Sequence, residues 1–225
     1  MAVNQRTPAP GAVSRPVRTR AGRLTGGGTS GNERLTAVTG GALLLPLAVI
    51  GVTLLQLRQL LSVHLFVGML LIGPVALKLG TTGYRFVRYY TGNPAYRREG
   101  PPATPLRLIA PIVVLSTVVV LVTGVALLFA GPSSRNTLLP IHKVSFIVWA
   151  AFTGLHVLAY LPRVPRAFRA DYGRSVQLSG DITGRSGRVL ALAGAIVAGV
   201  VVAVLVIPEF GPWIHSSGVF DHHHG

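Results

Sequence analysis

Cysteine is absent from all 225 residues. Its absence excludes disulfides, thiolate metal centres, iron–sulfur clusters and covalently attached c-type haem, so a redox centre would have to use histidine or a weaker ligand. Acidic side chains are nearly as scarce, six in total, and none falls within the long apolar runs. The paired carboxylates of hydrolysis or group transfer are therefore missing, as is the intramembrane carboxylate that proton- or sodium-coupled carriers usually need. No phosphate-cradling glycine loop or activated nucleophile stands in their place.

What the chain has in quantity is apolar surface. Half of its residues are hydrophobic, 12% are charged and the mean hydropathy is +0.56, the composition of a membrane protein. Five apolar runs, at about residues 39–57, 60–80, 108–131, 141–161 and 189–208, each approach the roughly 20 residues that a helix needs to cross the hydrocarbon layer. The expected fold is all-α: a polytopic five-helix transmembrane bundle over 36–208, with a disordered basic arm over 1–35 and a histidine-containing tail over 209–225. The polar stretches left over are too short and too rich in Gly, Pro and Arg to bury a core of their own. The arm has the charge of a signal peptide's leading region, but residues 39–57 are long enough to stay as an anchor and are read as the first span.

The formal charge of +15 would suggest nucleic acid in a soluble protein, so its distribution decides the matter. Seventeen arginines fall in the arm, between the second and third spans, and between the fourth and fifth. The other side of the bundle carries only Arg58, Arg135 and Lys143, with Lys78 left inside a span. Topology alone requires basic loops on one side, so no nucleic-acid partner is expected. The positive-inside rule puts the arm in the cytoplasm and the tail outside a plasma membrane such as a bacterial inner membrane, with membrane lipid as the first partner.

Local signals organise the bundle further. The few residues between the first two spans force a tight antiparallel hairpin. Pro111 and Pro140 are expected to mark helix starts, where a missing amide proton costs little, while Pro46 and Pro74 lie inside spans and predict kinks. Ala191, Ala195, Gly199 and Ala203 recur every four residues and form a stripe for close helix approach. Thr117, Thr123 and Gly124 of the third span are read as packing residues, the hydroxyls bonded to their own helix. The stretch YRFVRYYTGNPAYRR after the second span has the Tyr and Arg of an interfacial anchor, or of a patch that docks an acidic redox partner or holds haem propionates.

The ionisable side chains within the spans are His64, Lys78, His142 and His156. Such groups are costly in hydrocarbon and mark a site facing the bundle interior. The second and fourth spans run in the same direction, so His64 and His142 share the outer half of the bilayer. His142 and His156 are fourteen residues apart, about 40° short of four full turns, which puts them on nearly one face and ~21 Å apart along the axis. Lys78 repeats that spacing from His64. Phe146, Trp149 and Thr153 complete an inward stripe between the two histidines. A haem held between two helices explains this layout, with one imidazole on each side of the iron and Gly68 leaving room one turn after His64. Interfacial histidines bonded to carbonyls, and a snorkelling Lys78, are the plainer alternatives.

The pairing HLFVGMLLIGPVALK with HKVSFIVWAAFTGLH, over roughly residues 60–161, resembles the four-helix core of membrane-embedded b-type cytochromes, the di-haem cytochrome b and ferric-reductase-like proteins. The resemblance implies haem b ligated by His64 and His142, with His156 matching one inner ligand. Lys78 stands where the family has a histidine, so one haem is implied and an inner one is left unassigned. It also implies an electron-transfer subunit of a membrane oxidoreductase, exchanging electrons with quinone or a redox partner subunit. A cofactor-free structural or partner-binding membrane subunit remains the alternative, and a small transporter a more distant one, since five spans do not divide into equal repeats. His215 and His222 to His224 of the tail are a general site for divalent metals or a tag remnant.

Overall fold

The computed structural model describes residues 28–98, 100, 104–160 and 184–216. Of the arm expected to be disordered over 1–35, residues 28–35 are instead helical and continue into the first apolar run as one helix; the rest of the arm and the histidines at 222–224 lie outside the described residues. Among the described residues eight α-helices follow one another: α1 (Gly28–Leu55), α2 (Leu61–Leu70), α3 (Ile72–Tyr90), α4 (Pro94–Arg98), α5 (Thr104–Ala130), α6 (Arg135–Tyr160), α7 (Arg185–Leu205) and α8 (Gly211–Ser216). Short 3-10 turns at Pro132–Ser134 and Ile207–Phe210 precede α6 and α8. Five helical segments are long and apolar enough to cross a membrane, α2 and α3 together forming one of them. In lipid every backbone amide has to be satisfied internally, which is why these runs are helical from end to end.

The span boundaries differ from the sequence reading where proline was taken as a start signal. Pro111 and Pro140 both lie inside helices, α5 and α6. The residue with nothing to lose is Pro105, second in α5, and α6 begins at Arg135 after the turn led by Pro132. Pro74 does mark an interruption: α2 and α3 are one helix broken only at Leu71. The second span also runs on to Tyr90, so the basic aromatic stretch is helix for most of its length. Asn93 then caps α4, its Oδ1 accepting from the Ala95 amide at 3.2 Å, and the buried Tyr96 meets Tyr84 edge-on at 6.0 Å.

Packing divides the bundle into two parts. In the first, α1 lies against α2 and α3, and α7 against α2 and α3 from another side. The small-residue stripe of α7 is the contact face: Gly199 and Ala203 are buried, and a Cβ on Gly199 would strike the Leu70 carbonyl while one on Gly73 would strike the Ala195 carbonyl. Leu70 is the residue whose helical partner would have been Pro74, which has no N–H. Its freed carbonyl faces Gly199 of α7, where a Cβ would strike it. The second part is the α5–α6 hairpin, turned at Gly131 with φ of 71°. The Leu128 carbonyl, deprived of its partner by Pro132, accepts from the Trp213 indole of α8 at 3.4 Å. Leu128, Met69, Ala203 and Phe210 form the buried cluster where the two parts meet.

Candidate functional site

His64 and His142 enter the space between the two parts from opposite members. His64 is carried by α2, and the hairpin turn at 56–60 brings Thr53 of α1 beside it: the Thr53 Oγ1 to His64 Nδ1 distance is 2.9 Å. His142 is carried by α6 and meets α5 in the same manner, with Thr123 Oγ1 at 3.0 Å from its Nδ1. Gly124 lets the ring lie on the backbone of α5, since a Cβ there would be 3.2 Å from His142 Cε1. About two helical turns along α6, Trp149 Nε1 donates to Thr117 Oγ1 at 2.9 Å, so both pairs belong to a single antiparallel register.

These contacts favour one tautomer. Thr53 is placed to donate to the Ile50 carbonyl, 2.6 Å away, and Thr123 to the Val119 carbonyl, 2.7 Å away. With the hydroxyl hydrogens so placed, each oxygen accepts from Nδ1–H, and Nε2 is the nitrogen that keeps its lone pair. That is the form in which a histidine ligates haem iron, with Nδ1–H engaged by a neighbouring acceptor. His64 and His142 lie within electrostatic reach of each other. Helix α6 packs extensively against α5 and has no comparable contact with α2 or α3, and beside Gly68 an added Cβ would meet nothing within 4 Å. The side of α2 that follows His64 is therefore open.

The inner pair is built differently. Lys78 and His156 are also within electrostatic reach, as the shared spacing of fourteen requires. Lys78, however, is turned to α1: its Nζ donates to the Thr36 carbonyl at 2.6 Å and occupies the notch left by Gly40, where a Cβ would stand 2.9 Å from Nζ. An ammonium group held by a carbonyl is a donor and offers no lone pair to a metal. Asn32 Nδ2 adds a bond to the Thr81 carbonyl at 3.2 Å, and Arg85 approaches Glu33 at 4.0 Å, so a ladder of polar contacts joins α1 to α3 at this end. Thr153, between the two histidines of α6, has a buried hydroxyl with no hydrogen-bond partner among the described residues.

Of the residues expected from sequence, His64 and Lys78 are each tied to α1 and His142 to α5, Gly68 borders open space, and the stripe His142, Phe146, Trp149, Thr153 and His156 is the less exposed face of α6. Phe146 and Trp149 stack at 5.8 Å. Thr53 escaped the sequence reading, and Thr123 was assigned to its own helix alone. A signal was available: each lies across a hairpin turn from a histidine at matching depth. Among the described residues no group of three or more His, Cys, Asp or Glu could hold a metal ion by itself. Against known proteins, no family model matches the chain and neither a curated protein nor a solved structure is similar to it.

Proposed function

We propose that this is a membrane electron-transfer protein in which His64 of α2 and His142 of α6 would hold one b-type haem. The observation that carries the reading is the matched pair of threonine–imidazole contacts; with each hydroxyl hydrogen turned to its own helix, Nε2 of both rings is the nitrogen left to bind a metal. The donor set fits the group: two imidazoles on helices that scarcely pack against each other, with open space beside Gly68. Haem b bound there supplies one-electron oxidation and reduction.

The chain's own residues do the rest. Thr53 and Thr123 hold the Nδ1 hydrogens, which fixes ring orientation and raises ligand basicity. Phe146 and Trp149 give an aromatic wall on α6 that excludes water, and burial among apolar side chains tunes the potential. Lys78, tied to α1, contributes a positive charge near His156 in the inner half. With the basic loops in the cytoplasm, the pair lies toward the outer face of a plasma membrane. Quinone or a cytoplasmic donor, and an acceptor or partner subunit outside, are the electron partners this placement suits.

The test is a reduced-minus-oxidised spectrum of protein purified from haem-supplied cells. A b-type spectrum is expected in the wild type and in His156→Ala, and none in His64→Ala or His142→Ala. Colourless wild type, or a spectrum lost only with His156→Ala, would falsify the assignment. Colourless protein is what the second reading requires: a cofactor-free subunit whose histidines serve only to bond α1 to α2 and α5 to α6, as the same two contacts do.

A further inference from the structure

The second span is longer than the hydrocarbon layer it has to cross. From Leu61, where it begins, Arg88 stands 27 residues along, a rise of roughly 40 Å. Hydrocarbon accounts for about 30 Å of that, so with the usual tilt the last turns of α3 lie among lipid headgroups. The short helix α4 folds back on them there. Its buried Tyr96 meets Tyr84 edge-on at 6.0 Å, and the Arg88 guanidinium lies over the Tyr84 ring at 5.9 Å. Arg85 and Arg88 are both within electrostatic reach of Tyr96. Arg97 turns back to the corner at Gly92, its Cζ 3.8 Å from where a Cβ on that glycine would stand.

Charge does not cancel in this cluster. Residues 84–98 hold four arginines and no carboxylate. Glu33 approaches Arg85 at 4.0 Å, and even with the adjacent Glu99 set against a second arginine two positive charges remain. Arg88 has the clearest unmet demand: its Nε–H is buried and has no hydrogen-bond partner among the described residues. A buried donor of that kind costs free energy until an acceptor arrives. The guanidinium fork takes two oxygens at once, and a phosphate supplies them.

A trough leads away from the cluster. Ala76, Gly80 and Gly83 are exposed and recur at intervals of four and three on one side of α3. An added Cβ at either glycine would meet nothing within 4 Å. Val87, four residues beyond Gly83, is exposed as well and continues the strip to the level of Arg88. A smooth strip of helix thus runs from headgroup depth into the hydrocarbon.

We infer that this end of α3 binds an anionic phospholipid, its phosphate held by Arg88 beside the Tyr84–Tyr96 pair and one acyl chain laid along Gly83 and Gly80. A free phosphate shares the headgroup chemistry but has no use for the trough. A zwitterionic lipid brings a cation of its own to a site that is already positive, so a headgroup of net negative charge is selected. The site involves neither the histidines nor haem.

Intact-protein mass spectrometry on the full chain, reconstituted in equal phosphatidylglycerol and phosphatidylcholine and then taken into detergent, counts the lipid each variant keeps. The wild type is expected to keep phosphatidylglycerol preferentially. Arg88→Gln should lower the retained phosphatidylglycerol-to-phosphatidylcholine ratio roughly fivefold, the effect of one interfacial charge. Gly83→Leu fills the trough from a position where nothing obstructs the new side chain. It should abolish retention with every charge in place, which keeps the test alive if Arg88→Gln does not fold. Lys143→Gln removes the same charge from an exposed position at the other end of the bundle and should leave the ratio unchanged. Equal retention of the two lipids by the wild type, a ratio that Arg88→Gln lowers no more than Lys143→Gln does, or retention in Gly83→Leu that matches the wild type overturns the proposal. So does displacement of phosphatidylglycerol by millimolar inorganic phosphate, which would make this a free-phosphate site.

Discussion

A threonine hydroxyl has one hydrogen to give, and both Thr53 and Thr123 direct it at a carbonyl of their own helix. Only their oxygens are left for the imidazoles. Thr53→Val and Thr123→Val keep the shape and remove that oxygen, leaving a buried Nδ1–H without its acceptor at a cost of about 1–3 kcal/mol. In haem-loaded protein each change is expected to weaken haem binding by roughly 10- to 100-fold, the usual effect of losing an outer partner of a ligating histidine. Haem titration of the variants reads this directly. Unchanged affinity in both would show that the hydroxyls do not orient ligands. At this scale the sequence displayed the histidines and hid their partners. A histidine in an apolar run stands out by its cost, whereas a threonine that bonds its own helix looks the same whether or not its oxygen is also used across a hairpin. Lys78 shows the limit from the other side: its depth was readable from the spacing of fourteen, but its choice of the Thr36 carbonyl depends on the notch at Gly40, 38 residues away in the chain.

Helices in lipid have little hydrophobic reason to associate, so their contacts depend on how closely backbones approach. Gly199 and Gly194 of α7 separate that effect from intrinsic helix propensity. A Cβ at Gly199 would collide with the backbone carbonyl of Leu70, which cannot swing aside as a side chain can, whereas a Cβ at Gly194 would meet nothing within 4 Å. Gly199→Ala should therefore destabilise by about 1–3 kcal/mol or more. Gly194→Ala should be neutral or stabilise by up to about 1 kcal/mol, since alanine is the better helix former. Thermal unfolding in detergent, followed by circular dichroism, would distinguish them; equal midpoints would mean that α7 is not seated on α2 and α3 as described. The stripe itself was legible, because small residues every four positions have few other uses in a span. Its partner was not: the carbonyl it receives is freed by Pro74, and a proline inside a span announces a broken bond without saying what takes the orphaned group. The same limit explains Pro111 and Pro140, where the missing N–H proved tolerable inside a helix that lipid compels to continue.

For the molecule as a whole, composition and run length were enough to give an all-helical chain with five helices fit to cross a membrane, because hydrocarbon permits few alternatives. The division into two parts was not legible, since it depends on which faces meet. That division has a thermodynamic consequence for the proposed cofactor. Helix α6 is fastened mainly to α5, whereas α7 is locked to α2 and α3 by backbone contact at Gly73 and Gly199. A ligand that bridges His64 and His142 would join α6 to α2 and stabilise only states in which both histidines are in place, by an amount that grows with its concentration over its dissociation constant. Haem-free and haem-loaded protein should then differ locally in amide hydrogen exchange. Residues 141–156 are expected to exchange faster without haem, because local opening of α6 then no longer has to break the bond between His142 and the iron. Residues 195–203, held by contacts that haem does not touch, should exchange at the same rate in both forms. Equal exchange across α6 would separate the histidines from any bridging ligand, and faster exchange in α7 as well would mean that the bundle unfolds as one body rather than parting at the histidine seam.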